Sequence, residues 1–249
     1  MHPDWLVPDW SAPGTGAVMT TRRGGFSAAP FDSMNIRDGI GDDPAAVRSN
    51  QRLLAEAIGA TPVYLNQVHG VQVVRLSIAD VRPDAPVHEA DGSVTTEPGI
   101  ACTSQVADCL PVLFAAPGGV GAAHAGWRGL AAGVLEATLQ ALCAAAACEP
   151  AQVQAWLGAC IGPRRFEVGA DVLQAFGVDP AGQSPHFRRH AAGKWLADLP
   201  ALARDRLRSA GVRDLSGGRW CTVEDASRFF SYRRDRVTGR MVAAIWRTP

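Results

Sequence analysis

Cys109 stands in QVADCLPVLFA, and His124 follows fifteen residues later in GVGAAHAGWRGL. Nearly everything between them is apolar or small, so both polar groups are carried to the ends of buried strands. They are either two satisfied core residues or the two halves of a site. A thiolate near an imidazole or a metal has a lowered pKa and is both a nucleophile and a soft ligand. A third donor, His69, follows the polar pair Asn66-Gln67 in LNQVHG. Three nitrogen and sulfur ligands with an open fourth position make the pattern of a catalytic zinc site. Spacing alone does not bring His69 to the other two. His88-Glu89 and the run from His186 to His190 also offer ligands, but they read as solvated loops.

The positioning of these groups turns on one hairpin. With a loop at Ala115 to Gly119, Leu110 faces His124 and Cys109 reaches the same open end. A tight turn at Gly118-Gly119 instead sets Leu113 opposite His124 and leaves Cys109 roughly 13 Å away, at about 3.3 Å per residue. AGWRGL then opens a helix, whose free N–H groups favour anions. Arg128 in its first turn opposes the helix dipole, which points to an anionic ligand or a buried carboxylate partner. Leu130, Val134, Thr138 and Leu142 are spaced to pack that helix inward.

The remaining elements are read from punctuation and alternation. Thr15 to Thr21 predicts a strand. GDDPAAVRSNQRLLAEAIGA predicts a helix capped by Asp43, with Pro44 in the first turn and Gly59 as the stop. Two strands joined near His69-Gly70 and a hairpin turning at Glu97-Pro98-Gly99 follow. Later come a strand at VQAWLGACIG, a short helix after Gly169, an amphipathic helix from Trp195 to Ala210 and a last strand in RMVAAIW. PAGQSPHFRRHAAGK is the most loop-like stretch, a mobile lid or a surface loop. Strands outnumber crossover helices, so the expected class is α+β, with mixed or antiparallel sheets and helices packed outside, in a single domain over 1–249.

Composition narrows the function classes. Of 249 residues, 47% are hydrophobic and 19% charged, which excludes a largely disordered chain. Lys+Arg and Asp+Glu are equal at 24 each, giving no electrostatic reason to expect nucleic acid or an anionic membrane as partner. The N-terminus lacks a secretory pattern, no apolar run is long enough to span a bilayer, and six scattered cysteines suit reduced thiols. A cytoplasmic protein is expected.

Seven segments in order, MTTRRGGFSAAPFDSMN, GDDPAAVRSNQRLL, LNQVHG, EADGSVTTEPGIACTSQVADCLPVLFA, GAAHAGWRGLAAGVLEAT, GACIGPRRFEVG and FFSYRRDRVTGRMVAAIW, resemble the YfiH-type polyphenol oxidase (laccase-domain) family, also called a purine nucleoside phosphorylase family. The resemblance runs from about Gly16 to Trp246. It implies that His69, Cys109 and His124 bind a zinc ion at the active site. It also implies phosphorolysis of adenosine, inosine, guanosine and methylthioadenosine, with adenosine deamination as a further activity. Nucleoside and phosphate would then be the partners, in a monomer or a homodimer. Departures are small: SMN where a leucine often precedes the asparagine, and Arg164-Arg165 in a variable pair.

An older assignment to this family is a copper laccase. Six histidines, one of them His2 at the terminus, equip this chain poorly for several coppers. For phosphorolysis, Arg128, Arg22 and Gln67 are candidate phosphate or substrate contacts, with a surface-turn role the alternative for Arg22. Phe229, Phe230 or Tyr232 would flank the purine, unless RFFSY is simply a core strand. Glu224 and Asp225 are weaker acid or base candidates. Two competing functions remain. One is a Cys-His hydrolase, with Cys109 as nucleophile and His124 as base, acting on an amino-acid amide of a nucleotide-linked cell-wall precursor. The other is a binding protein with a structural zinc, for which no fourth ligand is evident.

Overall fold

The computed structural model describes residues 1–248. In chain order, the first half holds β1 (Thr15–Met19), α1 (Pro44–Ile58), β2 (Thr61–Val63), β3 (Val73–Arg75), β4 (Gly92–Thr95), β5 (Ile100–Val106), β6 (Leu110–Ala116) and β7 (Gly119–Ala125). There follow α2 (Trp127–Ala132), α3 (Val134–Ala146), β8 (Gln154–Leu157), β9 (Glu167–Val168), α4 (Ala170–Ala175), β10 (Phe187–Ala191) and β11 (Lys194–Ala197). The chain closes with α5 (Leu199–Ser209), β12 (Asp214–Gly217), α6 (Tyr232–Asp235) and β13 (Met241–Arg247). The class is α+β, as expected.

Two mixed sheets stack face to face. One has the order β1-β13-β5-β2 and the other β12-β8-β6-β7-β4-β3; β10-β11-β9 form a small third sheet. Alternation along β6 explains the layering. Leu113 and Ala115 point between the two large sheets to meet Cys102, Met241, Ala243 and Ile245. Val112 and Phe114 point the other way, under Leu130, Val134, Leu139 and Leu142. Beyond the four-stranded sheet, Leu54 and Ile58 of α1 cover Val18, Ala101, Val242 and Ala244. Helices therefore cap both outer faces. β5 and β7 are buried along their whole length, so neither shows the alternation of a strand with one solvent-facing side.

Helix α1 follows its punctuation: the Asp43 carboxylate accepts from the Ala45 N–H, and Gly59 ends the helix in the left-handed region. Elsewhere the structure corrects the sequence-based expectations. β4 and β5 do not form a hairpin; β4 pairs with β7 and β3, whereas β5 pairs with β13 and β2. Both strands are buried on both faces, so no alternation marks which sheet each one joins. β2 and β3 likewise lie in different sheets, and the His69-Gly70 dipeptide sits in a connection between sheets. Trp195 belongs to β11, and the following helix starts at Leu199. The loop-like 180–194 stretch carries β10, which pairs with β11.

The expected single helix after His124 is broken. Gly133, at φ +102°, ends α2 and starts α3. The four inward positions nevertheless hold: Leu130, Val134, Thr138 and Leu142 are all buried. Only glycine adopts this backbone region without a Cβ penalty, which for other residues is about 1–2 kcal/mol. Gly133→Ala should therefore lower unfolding free energy by about 1–2 kcal/mol in urea denaturation.

Candidate active site

His124 lies near the end of β7, and the β6–β7 register decides whether Cys109 joins it. Pro111 faces His124 and Leu110 faces Ala125, one residue from the wide-loop register; the turn is the tight Pro117-Gly118 pair. Cys109 is therefore two residues from the position facing His124. A separation of two keeps side chains on the same side of a sheet, so the thiol and the imidazole meet at the hairpin's open end.

Asp108 fixes the direction of the chain just before Cys109. It has φ +103°, and its carboxylate accepts from the Thr222 hydroxyl and the Arg233 N–H, each at 2.6 Å. Its carbonyl accepts from the Ile161 N–H at 2.9 Å. Three elements distant in sequence thus pin the residue before the thiol.

His69 reaches the cluster through Asp91. One carboxylate oxygen accepts from the His69 N–H at 3.0 Å, and the other from the Val68 and Gly70 N–H groups at 3.1 and 2.7 Å. The same carboxylate lies 2.8 Å from His124 Nδ1. This holds His69 at φ +63°. It also leaves the Nε2 of His124 free to coordinate, a common way for a carboxylate to orient a metal-ligating histidine. Burial tends to raise the Asp91 pKa, but the His124 bond and the Gly70 and Val68 N–H groups hold it below the usual carboxylate range.

Two glycines make room for the His69 loop. A Cβ on Gly126 would sit 2.6 Å from His69 Cδ2 and 3.2 Å from Cys109 Sγ; one on Gly129 would sit 2.9 Å from the Gly70 carbonyl oxygen. The glycines of AGWRG are therefore needed for close approach.

The result is one compact donor set. Cys109 Sγ is 3.7 Å from His69 Nε2, and one donor atom each from His69, Cys109 and His124 lies within 4.8 Å of the others. Among the described residues it is the one such group of three. It can hold a metal ion. Without one, the thiol and imidazole perturb each other. Burial would raise the Cys109 pKa, yet His124 and then His69 bring it down to about 6. Burial would lower that of His124, but Cys109 and Asp91 push it up to about 9.

The donors line a cleft of about 430 Å³, together with Gln67, Arg37, Tyr232 and Arg240. Gln67 borders it, although both ends of its amide are bonded to the Gln105 backbone. Arg128 is not in this cleft; it is exposed and lies over the Trp127 ring at 4.3 Å. Arg22 borders a separate hollow, where it pairs with Asp32 and bonds the Ala226 carbonyl. Phe229 and Phe230 are fully buried in the core, and only Tyr232 of the three aromatics faces the cleft. Glu224 is bound to Arg164 and Arg165, and both Glu224 and Asp225 line another pocket. His88, His186 and His190 each sit against a carboxylate away from the cluster. Sequence reasoning missed Asp91, Arg37 and Arg240; for Asp91 the signal was an acidic residue directly before a short strand of small, uncharged residues in EADGSV.

The fold and cluster define a class: α+β proteins whose stacked mixed sheets open on a histidine-cysteine donor set. A family model described as multi-copper polyphenol oxidoreductase laccase matches residues 16–248, and the chain belongs to this YfiH-type family. A purine nucleoside phosphorylase of Pseudomonas aeruginosa is 48% identical, covering 97% of this chain and 98% of that protein. Purine nucleoside phosphorylase YfiH of Escherichia coli is 46% identical over the same shares. A Neisseria meningitidis protein of known crystal structure is 42% identical with a TM-score of 0.91, covering 99% of this chain and all of that one.

Two outcomes are expected. Asp91→Ala should weaken divalent-metal affinity by about 10–100-fold in a competition titration with a chromophoric chelator. In metal-free protein, iodoacetamide should alkylate Cys109 with a midpoint near pH 6, well below the ordinary thiol value of about 8.5. The sign follows from His124, which favours the reactive thiolate; Cys109→Ser identifies the modified site.

Proposed function

We propose that the chain is a zinc-dependent purine nucleoside phosphorylase acting on adenosine, inosine, guanosine and methylthioadenosine, with adenosine deamination as a second activity. The catalytic unit would be the whole of residues 1–249, in the cytoplasm. The observation that carries this reading is the three-donor set lining a cleft of nucleoside size. Its relatives' names point the same way. Tetrahedral zinc with nitrogen at about 2.0–2.1 Å and sulfur at about 2.3 Å separates those ligands by about 3.6 Å. The 3.7 Å between Cys109 Sγ and His69 Nε2 fits that spacing. A thiolate and two imidazoles also suit zinc chemically, and they leave one side open to the cleft.

When bound, zinc would supply a Lewis acid and a means of lowering a water's pKa. In phosphorolysis an oxygen of phosphate bonds to C1′ as the C1′–N9 bond breaks, and the purine leaves with the electron pair and takes up a proton. Asp91 holds the proton on His124 Nδ1 and keeps the ring aimed into the cleft. Tyr232, 51% exposed and on the cleft wall, is the aromatic placed to stack on the purine. A multi-copper oxidase would need several centres, and the described residues supply one candidate group.

One further observation favours a second reading. Cys109, His124 and Asp91 are arranged as nucleophile, base and orienting carboxylate, the arrangement of a Cys-His hydrolase. Zinc at Cys109 would protect the thiol from iodoacetamide until a chelator is added, whereas a free nucleophile is alkylated at once. For the leading reading, Cys109→Ala should abolish phosphate-dependent inosine cleavage without unfolding the chain. Full phosphorolysis by that variant would defeat it.

A further inference from the structure

Two arginines that border the cleft are held side by side by a buried amide. Asn35 is fully buried, and its side-chain oxygen accepts from the Arg37 N–H at 3.1 Å and from the Arg240 N–H at 2.9 Å. Its side-chain NH2 donates to the Arg37 carbonyl at 3.0 Å and to Asp42 at 2.8 Å. The Ile36 N–H donates to the Arg240 carbonyl at 3.1 Å, a second tie between the two segments. A Cβ on Gly239 would lie 2.9 Å from Asn35 Cβ, so the segment before Arg240 presses directly on this clamp.

The side chains thus brought together are half-buried and cationic, and both line the wall that His69, Cys109 and His124 also line. Among the described residues neither guanidinium forms an ion pair with a carboxylate. Arg240 uses one nitrogen on the Thr238 and Gly239 carbonyls, and among the described residues the Arg37 guanidinium has no hydrogen-bond acceptor. Like charges held together in a partly desolvated cleft are unfavourable unless an anion lies between them. Burial and then Arg37 lower the Arg240 pKa, with Cys109 and Asp108 opposing part of that shift. Guanidinium forks match the geometry of a tetrahedral oxyanion.

We infer that Arg37 and Arg240, positioned by Asn35, form the subsite that binds inorganic phosphate for attack at the nucleoside C1′. The inference rests on the phosphorylase reading for the fate of that phosphate. It moves the oxyanion site from Arg128 and Arg22, which lie outside the cleft, to a pair inside it. Tyr232 lies beneath Arg240, with the guanidinium carbon 5.8 Å from the ring centroid, so the oxyanion and aromatic walls adjoin.

The test is calorimetric titration of the full-length protein with inorganic phosphate and, separately, inosine 5′-monophosphate. Arg37→Gln, Arg240→Gln and the double variant are compared with the parent chain, alongside steady-state kinetics. A hydrogen bond to a charged group is worth about 1.5–3 kcal/mol, so each single variant should bind phosphate about tenfold or more weakly. KM for phosphate should rise in parallel, while KM for inosine changes less than about threefold. Among the described residues the Arg37 side chain bonds to no protein group, so Arg37→Gln should fold normally and keeps the inference falsifiable by itself. Phosphate binding unchanged in Arg37→Gln would overturn the inference while leaving phosphorolysis intact. Tighter arginine-dependent binding of the monophosphate than of free phosphate would overturn the assignment to inorganic phosphate. Arginine-dependent phosphate binding by a chain that never cleaves nucleosides would support the subsite and defeat the phosphorylase reading.

Discussion

One buried carboxylate ties the site together. Asp91, whose side chain is 0% exposed, bonds three successive N–H groups around His69 and the imidazole of His124. Without it, His69 would belong to a loop between two sheets with no reason to point anywhere in particular. Burying a carboxylate is costly unless its lone pairs are used, and here four bonds use them. The same group thus sets a backbone conformation, a ring orientation and the electrostatic state of the cluster.

The stacked sheets make that arrangement possible by leaving little room for alternatives. β7 is covered on both faces, so His124 is delivered to a dry strand end where the neighbouring charge is weakly screened. Gly126 and Gly129 let the α2 segment press on the His69 loop, and Asp108 secures the chain before the thiol from the opposite side. A thiolate and an imidazolium then stabilise each other in a setting where either alone would be suppressed by burial. Such a pair serves equally as two ligands for a soft divalent ion or as nucleophile and base. The identity of the bound species, rather than the scaffold, selects between those chemistries.

The arginine clamp follows the same logic on the other wall. Asn35 uses its amide to bond two backbone segments, leaving two cationic side chains to face the cleft. Satisfied polar groups inside the protein thus place unsatisfied ones at its surface. Arg128 and Arg22, by contrast, have partners of their own in a Trp127 ring and an Asp32 carboxylate.

What the chain by itself determined was local. The α1 limits, the inward face of the helices after His124 and the types of the three donor residues follow from capping, periodicity and ligand chemistry, which act between near neighbours. Strands buried on both faces carry no alternation, so the sequence was silent on which sheet β4 and β5 join and on where the β6–β7 hairpin turns. The union of His69 with Cys109 and His124, the Asp91 hub and the pairing of Arg37 with Arg240 were decided only by tertiary structure. Each depends on hydrogen bonds and close contacts between segments 22 to 205 residues apart, and such contacts leave no mark on local pattern.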